Sequence, residues 1–412
     1  MPLVVPVDEL QHGMRMHEPL IYAGRVMLQG GKVLTHTDIA ALRRRFPKLR
    51  LRIRDPVLDS VIEFEDDRKD LDVASEVQTR VSACISKVHE RFAERASVHH
   101  VDIHAIQSTV GHLLSYLKDN PASAALVSSC LDTETYLGAH TGNVFYLSMM
   151  LASKVLDYVI SEQRRQTHAR DLSISTAMDL FPLGLGVMVM DLGMVPLQGL
   201  LAARRTLTDE ESDALMDHPN GSLASLPDAL SPIAKTIVRT HHENCAGTGY
   251  PAKLAADRLH VFARIVRIAD AFDAATSEHV YSHAKSPARV LWEMTNGPAR
   301  RFYDPHLTAA FANLVHPFPI GAKLRLKDGR YAAVVKYNRR SPFEPLIVVA
   351  FDAQDRPLPR SRLEGPVQLN ASGNLRVASF RGEEYAFMYT SLPARDLVPR
   401  SRFINPLDAA YP

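Results

Sequence analysis

Between Leu180 and Leu201 the chain is apolar almost throughout, yet a carboxylate, Asp191, lies inside the stretch. The longest uncharged run there, Leu180 to Met190, is only 11 residues. A bilayer span needs about 20. Pro182 and Pro196 break the stretch, and Gly184, Gly186 and Gly193 loosen it. The reading is therefore a buried core helix, with no membrane span. A carboxylate at the edge of such a helix is costly unless it is paired or holds a metal. Asp191 is thus an N-cap, an ion-pair partner or a metal ligand.

Other polar residues fall on inward helical faces in the same region. The segment Thr133–Val155 places apolar residues at Leu137, Val144, Leu147, Leu151 and Val155, and His140 shares their face. Alone, it reads as a satisfied core histidine. A capping-box pattern, Thr208 to Glu211, opens a helix, and Pro219 is expected to end it, leaving His218 at its C-terminal end. His241 and His242 are adjacent, so on a helix they point about 100° apart and reach neighbouring metals more readily than one. The loop Gly247-Thr248-Gly249-Tyr250-Pro251 is turn-forming, and Tyr250 can offer a hydroxyl or an aromatic face to a ligand. Asp270 and Asp273 lie in the helical pattern Val261–Ser277, Asp270 at the border of the apolar side. For each of these two, the plain alternative is a cap or an ion pair. Nitrogen and oxygen donors without thiolate suit iron, manganese or zinc. Two such ions can clamp a phosphodiester.

The totals exclude some functions. Net charge is +2, from 48 basic and 46 acidic residues, which leaves no electrostatic footprint for nucleic acid or an anionic membrane. Hydrophobic residues are 46%, enough for a real core in a chain of 412 residues, which fits two or three domains. The cysteines, Cys84, Cys130 and Cys245, form no CxxC pair. That argues against a disulfide framework or a cysteine zinc site and fits a reducing cytoplasm. Met1–Leu10 carries Asp8 and Glu9 and no basic segment before an apolar run, so no signal peptide is expected.

The expected organisation is multidomain and mainly α. Residues 1–66 read as a small α/β module, from short apolar runs at Leu3–Val7, Leu20–Tyr22 and Val26–Leu28, a helix capped by Thr35 and running through Leu42, and a strand at Leu49–Ile53. Residues 67–104 are expected to form a linking helix after a charged connector. Residues 105–315 form an all-helical core. Residues 316–412 form a small β-rich module, with strands at Lys323–Leu326, Tyr331–Tyr337 and Leu346–Phe351, weaker signals over 374–389, and a loose tail.

The motifs His140-Thr-Gly-Asn-Val, Met190-Asp191-Leu-Gly, Leu207-Thr-Asp-Glu-Glu with His218-Pro219, His241-His-Glu with Gly247-Thr-Gly-Tyr-Pro251, and Ala263-Arg-Ile-Val-Arg-Ile-Ala-Asp270-Ala-Phe-Asp-Ala274 follow one another in order. The region 105–315 that carries them resembles an HD-GYP domain, the metal-dependent phosphohydrolase family that acts on cyclic di-GMP. Val5–Asp55 also resembles a small domain often found ahead of such domains.

The resemblance implies an all-helical HD-type fold that hydrolyses cyclic di-GMP to pGpG or GMP through a metal-bridged hydroxide. It implies His140, Asp191, His218, His241, His242 and Asp270 as metal ligands, with Asp191 bridging and Asp191 and Asp270 carrying the catalytic role. One or two divalent ions, iron or manganese, are the implied cofactor. Tyr250, Gly249, Pro251 and His279 would shape the substrate or partner surface.

This chain departs from the family pattern at several places. The histidine that gives the family its name is Met190, and a thioether is a poor ligand in an oxygen-rich site. A lysine often found three residues after the aspartate is Met194. The aspartate before the loop is Ala246, an arginine after the last helix is His279, and a glutamate one turn before the first histidine is Tyr136. One expectation is therefore a phosphodiesterase impaired by the lost imidazole. A second is an inactive module that senses cyclic di-GMP or docks a diguanylate cyclase or another signalling protein. A third is a phosphohydrolase for another nucleotide.

Overall fold

The computed structural model describes all residues except 1–2, 8–9, 18, 23–24, 47–48, 55–82, 91–105, 113–114, 116–135, 168–172, 202–204, 206, 229, 278–283 and 390–412. It divides into two compact units, Met1–Asp67 with Phe318–Ser391, and Arg68–Pro317. Most of the expected linking helix lies outside the described residues. Within it, residues 83–90 form a helix, here α2.

The N-terminal module is α/β, as its apolar runs predict. Strands β1 (Leu3–Pro6), β5 (Arg50–Arg54) and β2 (Arg15–Met16) form an antiparallel sheet in the order β1-β5-β2. Strands β3 (Leu20–Tyr22) and β4 (Arg25–Leu28) make a separate hairpin. Helix α1 (His36–Arg45) starts from a capping box between Thr35 and Asp38, and runs three residues past Leu42. Its Ile39 and Leu42 join Val7, Leu34, Leu51 and Ile53 in a small core.

The C-terminal module is a six-stranded antiparallel sheet in the order β11-β10-β6-β7-β8-β9. The strands are β6 (Lys323–Leu326), β7 (Tyr331–Lys336), β8 (Leu346–Phe351), β9 (Glu364–Gln368), β10 (Val377–Phe380) and β11 (Glu383–Glu384). Strand β9 carries little apolar pattern, since Glu364, Gly365 and Pro366 are exposed, and the sequence alone did not mark it.

The helical unit contains α2 and α3 (residues 106–112). Long elements follow at α4 (Tyr136–Lys154) and α5 (Leu156–Thr167), then short ones at α6 (Ile174–Ala177), α7 (Phe181–Val189) and α8 (Gln198–Leu201). Next come α9 (Asp209–Met216), α10 (His218–Ala224), α11 (Pro232–Thr240), α12 (Val261–Thr276), α13 (Pro287–Thr295) and α14 (Pro305–Val315). The apolar stretch that contains Asp191 is thus broken rather than continuous. By length and hydropathy alone, Ile174–Leu201 would pass as a membrane span, but 72% of its most apolar window is buried inside the protein.

Helix α12 is the spine of this unit. Every residue from Val261 to Ala274 is buried, so the helix has no solvent-facing side. Its charged residues are therefore all paired inside. Arg264 reaches Asp304 at 2.5 Å and also pairs with Glu162, tying α12 to α5 and to the N-cap of α14. Tyr158 donates to the same Asp304 at 2.7 Å. A buried arginine with two carboxylates fixes the register of the helix that bears Asp270 and Asp273.

Candidate metal centre

Asp191, His218, His241 and His242 converge inside the helical unit, and their candidate ligand atoms all lie within 4.8 Å of one another. All four are buried. Asp191 follows the end of α7, where Met190 is the C-cap, and leads a 3-10 turn over Leu192–Leu197. Its side chain makes no capping bond to that turn, so it is left to face the interior. Gly193 then lets this turn close on α10. A Cβ there would stand 2.3 Å from the His218 carbonyl oxygen and 2.9 Å from the Ser222 nitrogen. Ser222 clasps the same join, accepting from the Gly193 N–H at 2.8 Å and donating to the Met190 carbonyl at 2.7 Å.

The structure corrects two local expectations. Pro219 does not end the helix before it. Helix α9 stops at Met216, and His218 and Pro219 open α10, where a proline in the first turn costs no hydrogen bond. His241 and His242 are not on a helix. Helix α11 ends at Thr240, His241 is its C-cap, and the chain turns there. Both imidazoles meet the same cluster, with ring centroids 4.1 Å apart, rather than serving separate ions.

The hydrogen bonds around the cluster fix its chemistry. His218 Nδ1 donates to the Leu215 carbonyl at 2.6 Å, and His241 Nδ1 donates to the Val238 carbonyl at 2.8 Å. A carbonyl only accepts, so each Nδ1 carries a proton, and in the neutral ring each Nε2 then presents a lone pair. Those two Nε2 atoms face each other at 3.1 Å, and stand 3.4 and 3.5 Å from Asp191 Oδ1. Lone pairs in that arrangement repel unless a cation lies among them. Two adjacent ligands of an ion bound at about 2.0–2.2 Å are separated by about this distance. Neither nitrogen of His242 makes a hydrogen bond, although Nδ1 lies 3.6 Å from Asp270 Oδ2, and Asp191 Oδ2 is likewise buried without a hydrogen bond. Buried polar atoms are rarely left so. The donor set fits a divalent metal.

A second group adjoins the first. His140 Nε2 lies 3.1 Å from Asp270 Oδ1 and 3.8 Å from Asp191 Oδ2. His140 Nδ1 bonds Asp273 Oδ2 at 2.7 Å, and Asn143 donates to the other Asp273 oxygen at 2.8 Å. Sequence pattern left Asp273 as a cap or ion-pair partner, and the structure makes it the group that orients His140. Arg267 is buried with Nη1 3.5 Å from Asp270 Oδ2. Asn143 and Arg267 were missed in the sequence. Their one usable signal is spacing, each three residues from a site residue and so on the same helical side.

Electrostatics follow from burial and pairing. Burial alone would raise the Asp191 pKa, but the imidazoles of His218 and His241 beside it outweigh burial and, in the absence of a cation, hold it well below the usual carboxylate value. Burial would lower that of His140, yet its bonds to Asp270 and Asp273 raise it well above the ordinary imidazole. Burial, with His241, His218 and Arg267 nearby, pushes His242 well down. Asp191 and a neutral His242 are thus in the forms that a metal binds.

The Gly247–Pro251 loop closes over His242. The Tyr250 ring stacks on it at 4.7 Å, and the phenol oxygen is buried without a partner. A Cβ on Gly249 would lie 2.5 Å from Glu243 Cα and from the His242 carbonyl, so glycine permits the approach. Glu243 accepts from the N–H groups of Ala252 at 2.6 Å and Leu254 at 2.9 Å, pinning the far side of the loop. The carboxylate of Glu243, quoted in the motif without a role, is thus a loop anchor. Pro251 is exposed at the loop's rim. Met190 and Met194 are buried, and Tyr136 stacks near His140 with centroids 5.7 Å apart. His279 lies outside the described residues.

Comparison with known proteins agrees with this geometry. A model of the HD domain family matches residues 147–307. The chain is 30% identical over 181 residues to cyclic di-GMP phosphodiesterase PA4108 of Pseudomonas aeruginosa, covering 43% of each chain. It is 34% identical over 120 residues to a cyclic di-GMP phosphodiesterase of Vibrio cholerae, covering 27% of this chain and 24% of the other. It is also 36% identical over 78 residues to 3'3'-cGAMP-specific phosphodiesterase 2 of Vibrio cholerae, covering 19% and 15%. The matched part spans less than half the length of each of these relatives. By that match and by the ordered motifs from His140 to Ala274, the helical region is an HD domain of the HD-GYP type, with methionine in place of the first residue of its HD pair.

Proposed function

We propose that this chain is a metal-dependent phosphodiesterase of cyclic dinucleotides, with cyclic di-GMP as substrate and iron or manganese as the ion. The observation that carries the reading is the His218–His241 pair, two lone-pair nitrogens 3.1 Å apart beside a buried aspartate. Asp191, His218, His241 and His242 would hold one ion. His140, Asp270 and the second oxygen of Asp191 would serve the adjoining half, where Met190 leaves one imidazole short.

A bound divalent ion supplies Lewis acidity toward a phosphodiester and an activated water. The protein's own residues do the rest. Asp191 faces both halves, with Oδ1 toward His218 and His241 and Oδ2 toward His140. Asp273 holds the proton on His140 Nδ1, so that Nε2 faces the centre. Tyr250 presents a desolvated phenol to whatever lies beside His242. The domain division into residues 1–66, 67–104, 105–315 and 316–412 is part of this proposal, with catalysis assigned to the third segment.

The buried Met190 and Met194 favour a second reading, a module that binds a cyclic dinucleotide or a diguanylate cyclase without turnover. Purified protein loaded with iron or manganese decides between them. Bound ion with production of pGpG or GMP supports the enzyme. Bound cyclic di-GMP in chelator without any product supports the sensor.

A further inference from the structure

We propose that Arg267 is a built-in cation of the centre: its guanidinium competes at Asp270 with a second divalent ion, so that the chain works with the one ion that Asp191, His218, His241 and His242 would hold. The inference rests on the metal-centre reading above. Three observations carry it. Arg267 and Asp270 lie one turn apart on α12, each with its side chain 3% exposed, and Nη1 stands 3.5 Å from Oδ2. Oδ2 is also the oxygen that faces His242 Nδ1, at 3.6 Å, so the guanidinium meets Asp270 where that carboxylate turns toward the centre. Among the described residues, the one group of donors close enough to share an ion is the four named above, without His140 or Asp270.

The bare atoms tell the same story. Those of the centre's donors that are buried without a hydrogen bond belong to His242 and Asp191, both members of that group. Asp270 has a nitrogen beside each oxygen, His140 Nε2 at Oδ1 and Arg267 Nη1 at Oδ2. The Met190 side chain is fully buried and adds only a thioether. Arginine keeps its proton at any working pH, so its charge is fixed. An ion on the His140 side would have to draw Asp270 away from this buried pair. It would then lie near a positive charge that the interior screens poorly. The guanidinium has little freedom to retreat, because α12 is enclosed from Val261 to Ala274 and is pinned through Arg264 to Glu162 and Asp304. Its charge is also felt at the stacked rings of His242 and Tyr250.

The test is manganese binding by the full chain, by Arg267→Met, by Arg267→Lys, and by Arg267→Met combined with Met190→His. Titration calorimetry gives the affinities. Electron paramagnetic resonance distinguishes an isolated manganese from a coupled pair. The parent should hold one tight ion with the isolated signal. Arg267→Met removes the charge and keeps an apolar stem, and should bind a second ion at least about tenfold more tightly than the parent does. Arg267→Lys keeps the charge and should bind as the parent. The double variant should retain two coupled ions after desalting. Should Arg267→Met fail to fold by circular dichroism, Arg267→Gln is read in the same way. Equal or weaker binding of the second ion in the uncharged variant would overturn the proposal. So would an equal gain in Arg267→Lys, which is the mark of a packing effect. Two tight, coupled ions in the parent would overturn it without any variant, while leaving the phosphodiesterase reading intact. No tight ion in the parent would overturn that underlying reading itself.

Discussion

Gly193→Ala is the sharpest perturbation of the centre that replaces no ligand. The added Cβ would meet the His218 carbonyl oxygen at 2.3 Å and the Ser222 nitrogen at 2.9 Å. Both are backbone atoms, so no side chain can swing aside. Real Cβ contacts essentially never fall below 3.0 Å, so the join between the Asp191 turn and α10 must open by about 0.7 Å. Metal–ligand distances tolerate only about 0.2 Å. The opening moves His218 away from Asp191 Oδ1, now 3.4 Å distant, and strains the Ser222 clasp. Disturbing a group that supports a ligand typically lowers metal affinity about 10–100-fold, or about 1.4–2.8 kcal/mol. Overpacking adds a loss of fold stability of about 1–3 kcal/mol. Calorimetric titration with manganese measures the first, and melting in chelator the second. A folded Gly193→Ala protein that binds manganese as the parent does would refute the argument that this contact sets the position of His218.

Other predictions follow from the same geometry. Glu243→Gln removes a charged acceptor from two backbone N–H groups, which costs about 1.5–3 kcal/mol. It should show as faster amide exchange over residues 247–254, whereas unchanged exchange would deny Glu243 its anchoring role. Met190→His should tighten the ion on the His140 side about tenfold or more, read by manganese titration, and equal affinity would show that other departures limit that half. Burial, helped by the charge of Arg264, lowers His260 from 6.5 to about 4. Its Nδ1 accepts from the Phe262 N–H at the start of α12. The unfolded chain takes up this proton first, so stability is complete above pH 6.5 and falls as pH drops toward 4, by at most about 3 kcal/mol. His260→Asn keeps a capping oxygen and should flatten that limb of a chelator-treated melt series. An unchanged pH profile would refute the assignment.

Much of the site was legible because its signals were local. A carboxylate inside an apolar run can be read from neighbours alone, and so can the capping box at Thr208 and Glu211. What the sequence hid was where the chain leaves its helices. An ideal helix would send His241 and His242 apart, yet just past the end of α11 their rings stand 4.1 Å from each other in one cluster. Pro219 reads equally well as a stop or a start, and the choice depends on how α10 packs against the turn at Gly193. Contacts distant in sequence left no trace at all. His140 meets Asp273 across 133 residues, and Arg264 meets Glu162 across 102. Periodicity found α12, but its charged line of Arg264, Arg267, Asp270 and Asp273 reads in the sequence as a solvent-facing stripe, whereas the fold buries all four.

The central claim is that the His218–His241 pair beside Asp191 exists to hold a catalytic ion. The most direct measurement is elemental analysis of the purified full chain, with turnover of cyclic di-GMP assayed on the same sample after loading with iron or manganese. The account predicts at least one ion per chain and formation of pGpG or GMP, both lost in His241→Ala. No ion and no product in well-folded protein would contradict it.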